Sequence, residues 1–276
     1  MTRPRILMCP PDYYGIEYEI NPWMSRSRAA DRQRAAEQWQ ALYRALLDLG
    51  VQVELLTPQP GLPDLVFTAN AGLVYQQRFI GSRFRYAVRA RESPYFEAWF
   101  REHGYRVEQL PEGMYFEGAG DALFCGPYLF AGYRIRSDVL AHQEVARRLQ
   151  VEVLPLELID PYFYHLDTCF CPLAPGVAVY YPAAFDRYGR KVLHAYVPTL
   201  IEVDSDEARR FACNAVVVGK HVLCNTGCEQ MSAAVQQLGY TVSATPLDEF
   251  IKAGGSAKCL TLRLDGEEAA AWKYRT

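Results

Sequence analysis

The sequence predicts an α/β fold made of five repeated strand–strand–helix–strand units set about a pseudo-fivefold axis. Three observations carry this. Four times an amphipathic segment runs into a short apolar strand and a proline, the alternation of helical and extended periodicity that marks a supersecondary repeat. Polar residues open the hairpin-like segments between these units at Asn70, Asp121, Asp167 and Asn214, with Cys259 at the fifth equivalent place, so the openers recur every 45 to 51 residues. The N-terminal segment Arg5-Ile-Leu-Met supplies the strand that the last unit lacks, which would seal the ring. Alternating helices and strands also suit an ordinary open α/β sheet; the chemistry of the openers favours convergence on an axis.

Along the chain, Ala35, Trp39, Leu42, Leu46 and Leu49 share one helical face, Gly50 stops that helix, and a strand from Val51 follows before Pro58. Tyr95, Phe96, Trp99 and Phe100 precede Gly104, a strand over Tyr105 to Leu110, and Pro111. A helix over Ser137 to Leu149 leads into Val151-Glu-Val-Leu and Pro155. Met231, Val235 and Leu238 precede Gly239, the strand Tyr240-Thr-Val, and Pro246.

Of the 276 residues half are apolar, enough to bury a large core, and residues 1–276 are expected to form a single catalytic domain. A net charge of -3 without runs of Lys or Arg gives no basic field. Nucleic acid and anionic membranes are therefore poor partners, and a small-molecule substrate is expected. The residues after Met1 lack the apolar stretch of a signal peptide, and no segment holds the roughly 20 apolar residues of a spanning helix. The protein is expected to be cytoplasmic, and a homo-oligomer stays open. The eight cysteines then read as reduced thiols. A zinc alternative arises from His165, Cys169 and Cys171 and from His221, Cys224 and Cys228, but these spacings depart from the Cys-x2-Cys knuckle and lie among apolar residues.

The openers bring a chemical set. Phe116-Glu117-Gly-Ala-Gly-Asp121 places two carboxylates in a glycine-rich turn where a ligand can approach the backbone. His165 and Asp167, two apart, are expected on one face of a strand. Gly254-Gly255-Ser-Ala-Lys-Cys259 sets a cysteine after a flexible double glycine. Carboxylates, a thiol nucleophile and a proton donor are what cleavage of a planar guanidinium cation requires, with no metal or other cofactor invoked.

In these motifs the sequence resembles the guanidino-group-modifying enzymes of the pentein, or five-bladed β/α propeller, superfamily, over essentially its whole length. The resemblance implies Cys259 as nucleophile, His165 as general acid and base, and Glu117 and Asp167 as the carboxylates that bind the guanidinium. The usual deiminase turn is Glu-Gly-Gly-Asp, so Ala119 is an insertion that bears on the part played by Asp121. Arg89 and Arg134 stand where the family places arginines for a substrate carboxylate, and Asn21 is either a lid residue over the α-amino acid head or a turn residue.

More narrowly, Asn21-Pro-Trp-Met24, the segment from Pro63 through Asn70 to Gly72, Tyr164 to Pro172 and Ala253 to Leu262 are similar to the arginine dihydrolases. These take arginine to ornithine, carbon dioxide and two ammonia molecules. Asn70 replaces the aspartate of a deiminase and would hold a neutral ureido intermediate for a second attack. In that family an ornithine-processing domain often follows, and since the sequence ends shortly after Cys259 only the hydrolase part is expected. Alternatives are an arginine deiminase or dimethylarginine hydrolase that stops at citrulline, and an amidinotransferase. Outside enzymes there remain a ribosome-binding pentein and a zinc-binding interaction module.

Overall fold

The computed structural model describes residues 3–266, so residues 1–2 and 267–276 of the expected 1–276 domain lie outside the described residues. The architecture is mixed α/β with five three-stranded sheets. Strand β1 (Arg5–Met8) is followed by a helix over Arg32–Asp48 and β2 (Gln52–Leu55). Next come β3 (Gly72–Tyr75), β4 (Arg78–Gly81), a helix over Ser93–Glu102, and β5 (Arg106–Gln109). Strands β6 (Ala122–Cys125) and β7 (Tyr128–Tyr133), a helix over Val139–Leu149 and β8 (Glu152–Glu157) repeat the order. So do β9 (Phe170–Ala174), β10 (Val177–Tyr180), a helix over Arg187–Tyr196 and β11 (Thr199–Glu202). The last full set is β12 (Val216–Val218), β13 (His221–Asn225), a helix over Glu229–Gln237 and β14 (Thr241–Thr245), after which comes β15 (Leu262–Arg263).

In every sheet the middle strand pairs antiparallel with one neighbour and parallel with the other, because a tight turn joins the first two strands and the helix carries the chain back for the third. The first sheet obeys the same rule only by joining the two ends of the chain. There β1 lies antiparallel to β15, with Ile6 opposite Arg263, and parallel to β2. The expected completion of the last unit by the N-terminal strand is thus present.

Local sequence explains these elements. Asp31 caps the first helix by accepting from Arg34 N, Ala35, Trp39, Leu42 and Leu46 are buried as their spacing requires, and Gly50 leaves the helix at φ +78°. Full burial of side chains such as Leu42 and Leu46 contributes about 1.5–3 kcal/mol each. The helix over Arg187–Tyr196 is one that the apolar spacing did not reveal. Its buried face is Leu193 with Gly189, and Pro198 stands before its strand rather than after it. Pro155, expected to end a strand, instead lies inside β8 in register with Ala131, tolerated because β8 is an edge strand. Among the described residues no helix is long and apolar enough to cross a membrane.

The five openers sit in turns just ahead of first strands, and these turns touch. Gly118, at φ +61°, approaches the backbone of Gly72 so closely that a Cβ on it would lie 2.6 Å from Gly72 N. This contact joins the Asn70 turn to the Glu117 turn, and neither backbone can yield. We expect Gly118→Ala to destabilise the protein by about 1–3 kcal/mol or more through overpacking and left-handed strain. Equilibrium urea denaturation with an unchanged midpoint would show that the two turns do not depend on that approach.

Candidate active site

Four of the openers, with Glu117 and His165, meet below a loop of residues 13–24. Cys259 lies in the turn before β15 and is buried, as are Asn70 ahead of β3, Glu117 ahead of β6, and His165 and Asp167 ahead of β9. Asn70 and Cys259 line a small cavity together with Asp64, Arg89, Arg136 and Tyr164. Its mouth is formed by Ile20, Asn21 and Met24 on one side and Ala253 to Gly255 on the other.

The Cys259 thiol donates to Asp167 Oδ2 at 3.3 Å, and Asn214 Nδ2 donates to Cys259 Sγ at 3.1 Å. Burial pushes the thiol well above its ordinary range, and the adjacent Asp167 adds to this. Burial also raises Asp167, to about 7. His165 Nε2 lies 2.7 Å from Glu117 Oε2. Burial lowers His165 to about 4, so the ring is neutral at pH 7 although Glu117 favours its charged form. For Glu117 burial acts upward, but the Arg136 guanidinium at 3.0 Å and the His165 contact overcome it and hold the carboxyl well below the usual range. Glu117 Oε1 also accepts from the backbone of Arg85.

His165 and Asp167 are not on a strand. His165 precedes a single 3-10 turn over Leu166–Thr168 that contains Asp167, and this turn, rather than strand alternation, aims both side chains inward. The double glycine meets a need for space more than for flexibility. A Cβ on Gly254 would lie 2.6 Å from Tyr164 Oη, and one on Gly255 would overlap the Phe67 ring. Gly120 likewise has no room for a Cβ, because the Asn70 amide occupies that place. In Glu117-Gly-Ala-Gly-Asp121 both glycines are therefore contact points.

Asp121 does not line the cavity. Ser137 Oγ donates to its Oδ2 at 2.6 Å and Leu166 N to its Oδ1 at 3.1 Å, so it ties the Glu117 turn to the His165 turn from behind. Burial raises its pKa well above the ordinary value. Arg134 is also misplaced by the sequence reading. Its side chain is 58% exposed and pairs with Glu157, whereas Arg136 carries a buried guanidinium against Glu117, with Ile20 O accepting from its Nη2. Two residues apart on one segment, these arginines are indistinguishable by spacing. Arg136 also lies over the rings of Tyr86 and Tyr164.

Arg89 does line the cavity, but it forks onto Glu92 with both contacts at 2.8 Å, and its Nη1 donates to Asn70 Oδ1 at 2.8 Å. The Asn70 amide is thereby oriented, and its buried Nδ2 has no hydrogen-bond partner. Asn21 acts as a turn residue at the mouth. Its Oδ1 accepts from Trp23 N and Met24 N, and its Nδ2 donates to Ala253 O. Sequence reasoning assigned no role to Asp64, Arg136, Tyr164 or Asn214, though Asp64 stood in a quoted motif and Asn214 among the openers. Asp64 Oδ1 is buried without a partner at the cavity wall. Of the two zinc groupings, Cys169 Sγ donates to His165 O and Cys171 Sγ to Ala215 O, and among the described residues no group of three His, Cys, Asp or Glu converges as metal ligands.

Comparison with known proteins gives a consistent picture. Residues 16–265 match the family described as N,N dimethylarginine dimethylhydrolase, eukaryotic. The bifunctional arginine dihydrolase/ornithine cyclodeaminase AgrE of Nostoc sp. is 49% identical over 95% of this chain, which spans 38% of that relative's length. The N(G),N(G)-dimethylarginine dimethylaminohydrolase of Mycobacterium tuberculosis is 39% identical over 94% of this chain and 85% of its own. The crystal structure of the product-bound N-terminal domain of ArgZ, an arginine dihydrolase from cyanobacteria, superposes with a TM-score of 0.93 at 46% identity, covering 98% of this chain and 99% of that one.

The two arginines separate in a stability measurement. Arg136→Ala strands the buried Glu117 charge and should cost about 3–5 kcal/mol, whereas Arg134→Ala removes an exposed pair and should cost under about 1 kcal/mol. Similar urea midpoints for the two variants would contradict this placement.

Proposed function

This chain belongs to the N,N-dimethylarginine dimethylhydrolase family, and from that premise we propose that it hydrolyses the guanidinium of L-arginine through Cys259, giving L-ornithine, carbon dioxide and two ammonia molecules. The observation that carries the reading is the Asn70 amide, whose buried N–H has no hydrogen-bond partner and which lines the same cavity as Cys259. The similarity to AgrE and to the ArgZ domain supports the same product. We also read the five sheets as blades of a pseudo-fivefold β/α propeller and residues 1–276 as one catalytic domain, since each sheet repeats one strand pattern and β1 joins β15. We further read the enzyme as cytoplasmic, in keeping with eight free, buried cysteines, and as acting on a small molecule rather than nucleic acid or an anionic membrane, in keeping with a net charge of -3.

Asp64, Arg89 and Arg136 line the cavity, Glu117 pairs with Arg136 behind it, and Asp167, on which Lys258 acts, reaches the thiol, so a carboxylate is available for each cationic end of an amino-acid substrate. Asp64, with its unpartnered oxygen, takes the α-ammonium, and Arg136 and Arg89 sit where a carboxylate would find charge-assisted donors. Glu117 and Asp167 hold the guanidinium. The thiol proton passes to neutral His165, whose imidazolium is paired with Glu117, and the sulfur lone pair attacks the guanidinium carbon. His165 then gives its proton to departing ammonia and takes one from the water that opens the thiouronium. That yields citrulline. The Asn70 N–H then donates to the ureido oxygen, and a second round with the substituted nitrogen leaving last yields ornithine.

A citrulline-forming reaction is the rival, favoured by the family description and the mycobacterial relative. Product analysis decides. Wild type should release ornithine and two ammonia per arginine, while Asn70→Asp should keep the first step and accumulate citrulline. Citrulline with one ammonia from wild type would transfer the assignment to the rival.

The reaction should also depend on pH through Asp167. With its carboxyl near 7, guanidinium binding strengthens as pH rises and the carboxylate forms, so kcat/KM for arginine should climb between about pH 6 and 8. A flat profile there would remove Asp167 from substrate binding.

A further inference from the structure

We infer that Asn214 is a further catalytic residue, which holds the Cys259 sulfur in its reactive thiolate form and fixes its position. The assignment rests on the reading of Cys259 as nucleophile. Asn214 is fully buried in the turn before β12, the fourth of the strand openers, and its polar atoms bear on the nucleophile and on Asp167. Its Nδ2 donates to Cys259 Sγ at 3.1 Å and to Asp167 O at 2.9 Å. Its Oδ1 accepts from Cys259 N at 3.2 Å, and its main-chain oxygen accepts from Lys258 N at 3.2 Å. Both ends of one amide therefore grip one residue.

The amide has only one workable orientation. Cys259 N is a donor, so the amide oxygen must face it, and the NH2 group must then face the sulfur. Flipping it would set N–H against N–H and a carbonyl oxygen against both the sulfur and Asp167 O. The sulfur thus meets two side chains of opposite effect. Asp167 Oδ2 accepts the hydrogen bond of the thiol and opposes negative charge on sulfur; Asn214 donates, and favours that charge.

The neutrality of this donor fits the proposed substrate. Cysteine nucleophiles are commonly activated by an adjacent cation, but a cation here would repel the guanidinium as it approaches. An amide N–H stabilises the thiolate without that repulsion. When the S–H bond breaks, the proton leaves to His165 and the electron pair stays on sulfur, pointed at by Asn214 until it attacks the guanidinium carbon.

The test compares the pH dependence of Cys259 alkylation by iodoacetamide, and steady-state turnover of arginine, in the full chain and its Asn214→Asp and Asn214→Ala variants. Asn214→Asp keeps the shape but sets an oxygen against sulfur, and should raise the midpoint pH of alkylation by about one unit or more. Asn214→Ala should raise it less and lower kcat about ten- to a hundredfold, with KM changed under about threefold. Should Asn214→Ala fail to fold, Asn214→Ser takes its place; its hydroxyl donor should give a midpoint between wild type and Asn214→Asp. Unshifted midpoints in the folded variants overturn the inference, since a purely structural role would lower activity without moving the pH profile. Cys259→Ala separates the two levels. If it turns over arginine like wild type, the nucleophile assignment falls and this inference with it, whereas an inactive Cys259→Ala beside unshifted Asn214 variants overturns Asn214 alone.

Discussion

Arg136 and Glu117 form an ion pair at 3.0 Å in which the two side chains are 2% and 0% exposed. A buried carboxylate is tolerated only where charge and hydrogen bonds replace water, and Glu117 is supplied on every side. Arg136 and His165 share one oxygen, and the Arg85 amide holds the other. Other parts of the site lean on this pair. His165 is oriented by Glu117, and the loop over the cavity is fastened through Ile20 O to the other arm of Arg136. The Tyr164 ring lies under the same guanidinium and donates its hydroxyl to Gly254 O, on the segment leading to Cys259. One ion pair thus links His165, the loop through Ile20 and the segment that leads to Cys259.

A second buried cation divides the labour. Arg89 is neutralised by Glu92 and spends its remaining arm on Asn70, so its visible effect is to orient an amide. Asn70 and Asn214 are thus two fixed amides, one with an unpartnered N–H and one with an N–H on the Cys259 sulfur. Both are openers of the repeat. Repetition of one backbone turn ahead of each first strand brings these segments together, and the residue differs at each turn: Asn70, Asp121, Asp167, Asn214 or Cys259.

Much of this was legible in the sequence because it is local. Ala35, Trp39, Leu42 and Leu46 are spaced for one helical face, and each is buried there. The openers recur at a constant interval because each belongs to one supersecondary unit, so periodicity located Asn70, Asp167 and Cys259 before any contact was known. The helix over Arg187–Tyr196 escaped because its inward face rests on Leu193 and a glycine, too few apolar residues to register as a stripe.

The sequence by itself determined the units, their order, the N-terminal strand that completes the first sheet with β15, and the candidate residues Glu117, His165, Asp167 and Cys259 that the fold brings together. Only the tertiary structure decided which arginine enters the cavity, since Arg134 and Arg136 differ by two positions and their fates depend on a turn at φ +94° for Arg134 that no spacing rule anticipates. It also moved Asp121 behind the site and gave Asp64 and Asn214 their places. Each has a partner 45 or more residues away along the chain, Tyr18 for Asp64, Leu166 for Asp121 and Cys259 for Asn214, and hydrogen-bond direction between distant segments is set by packing, which pattern and propensity do not encode.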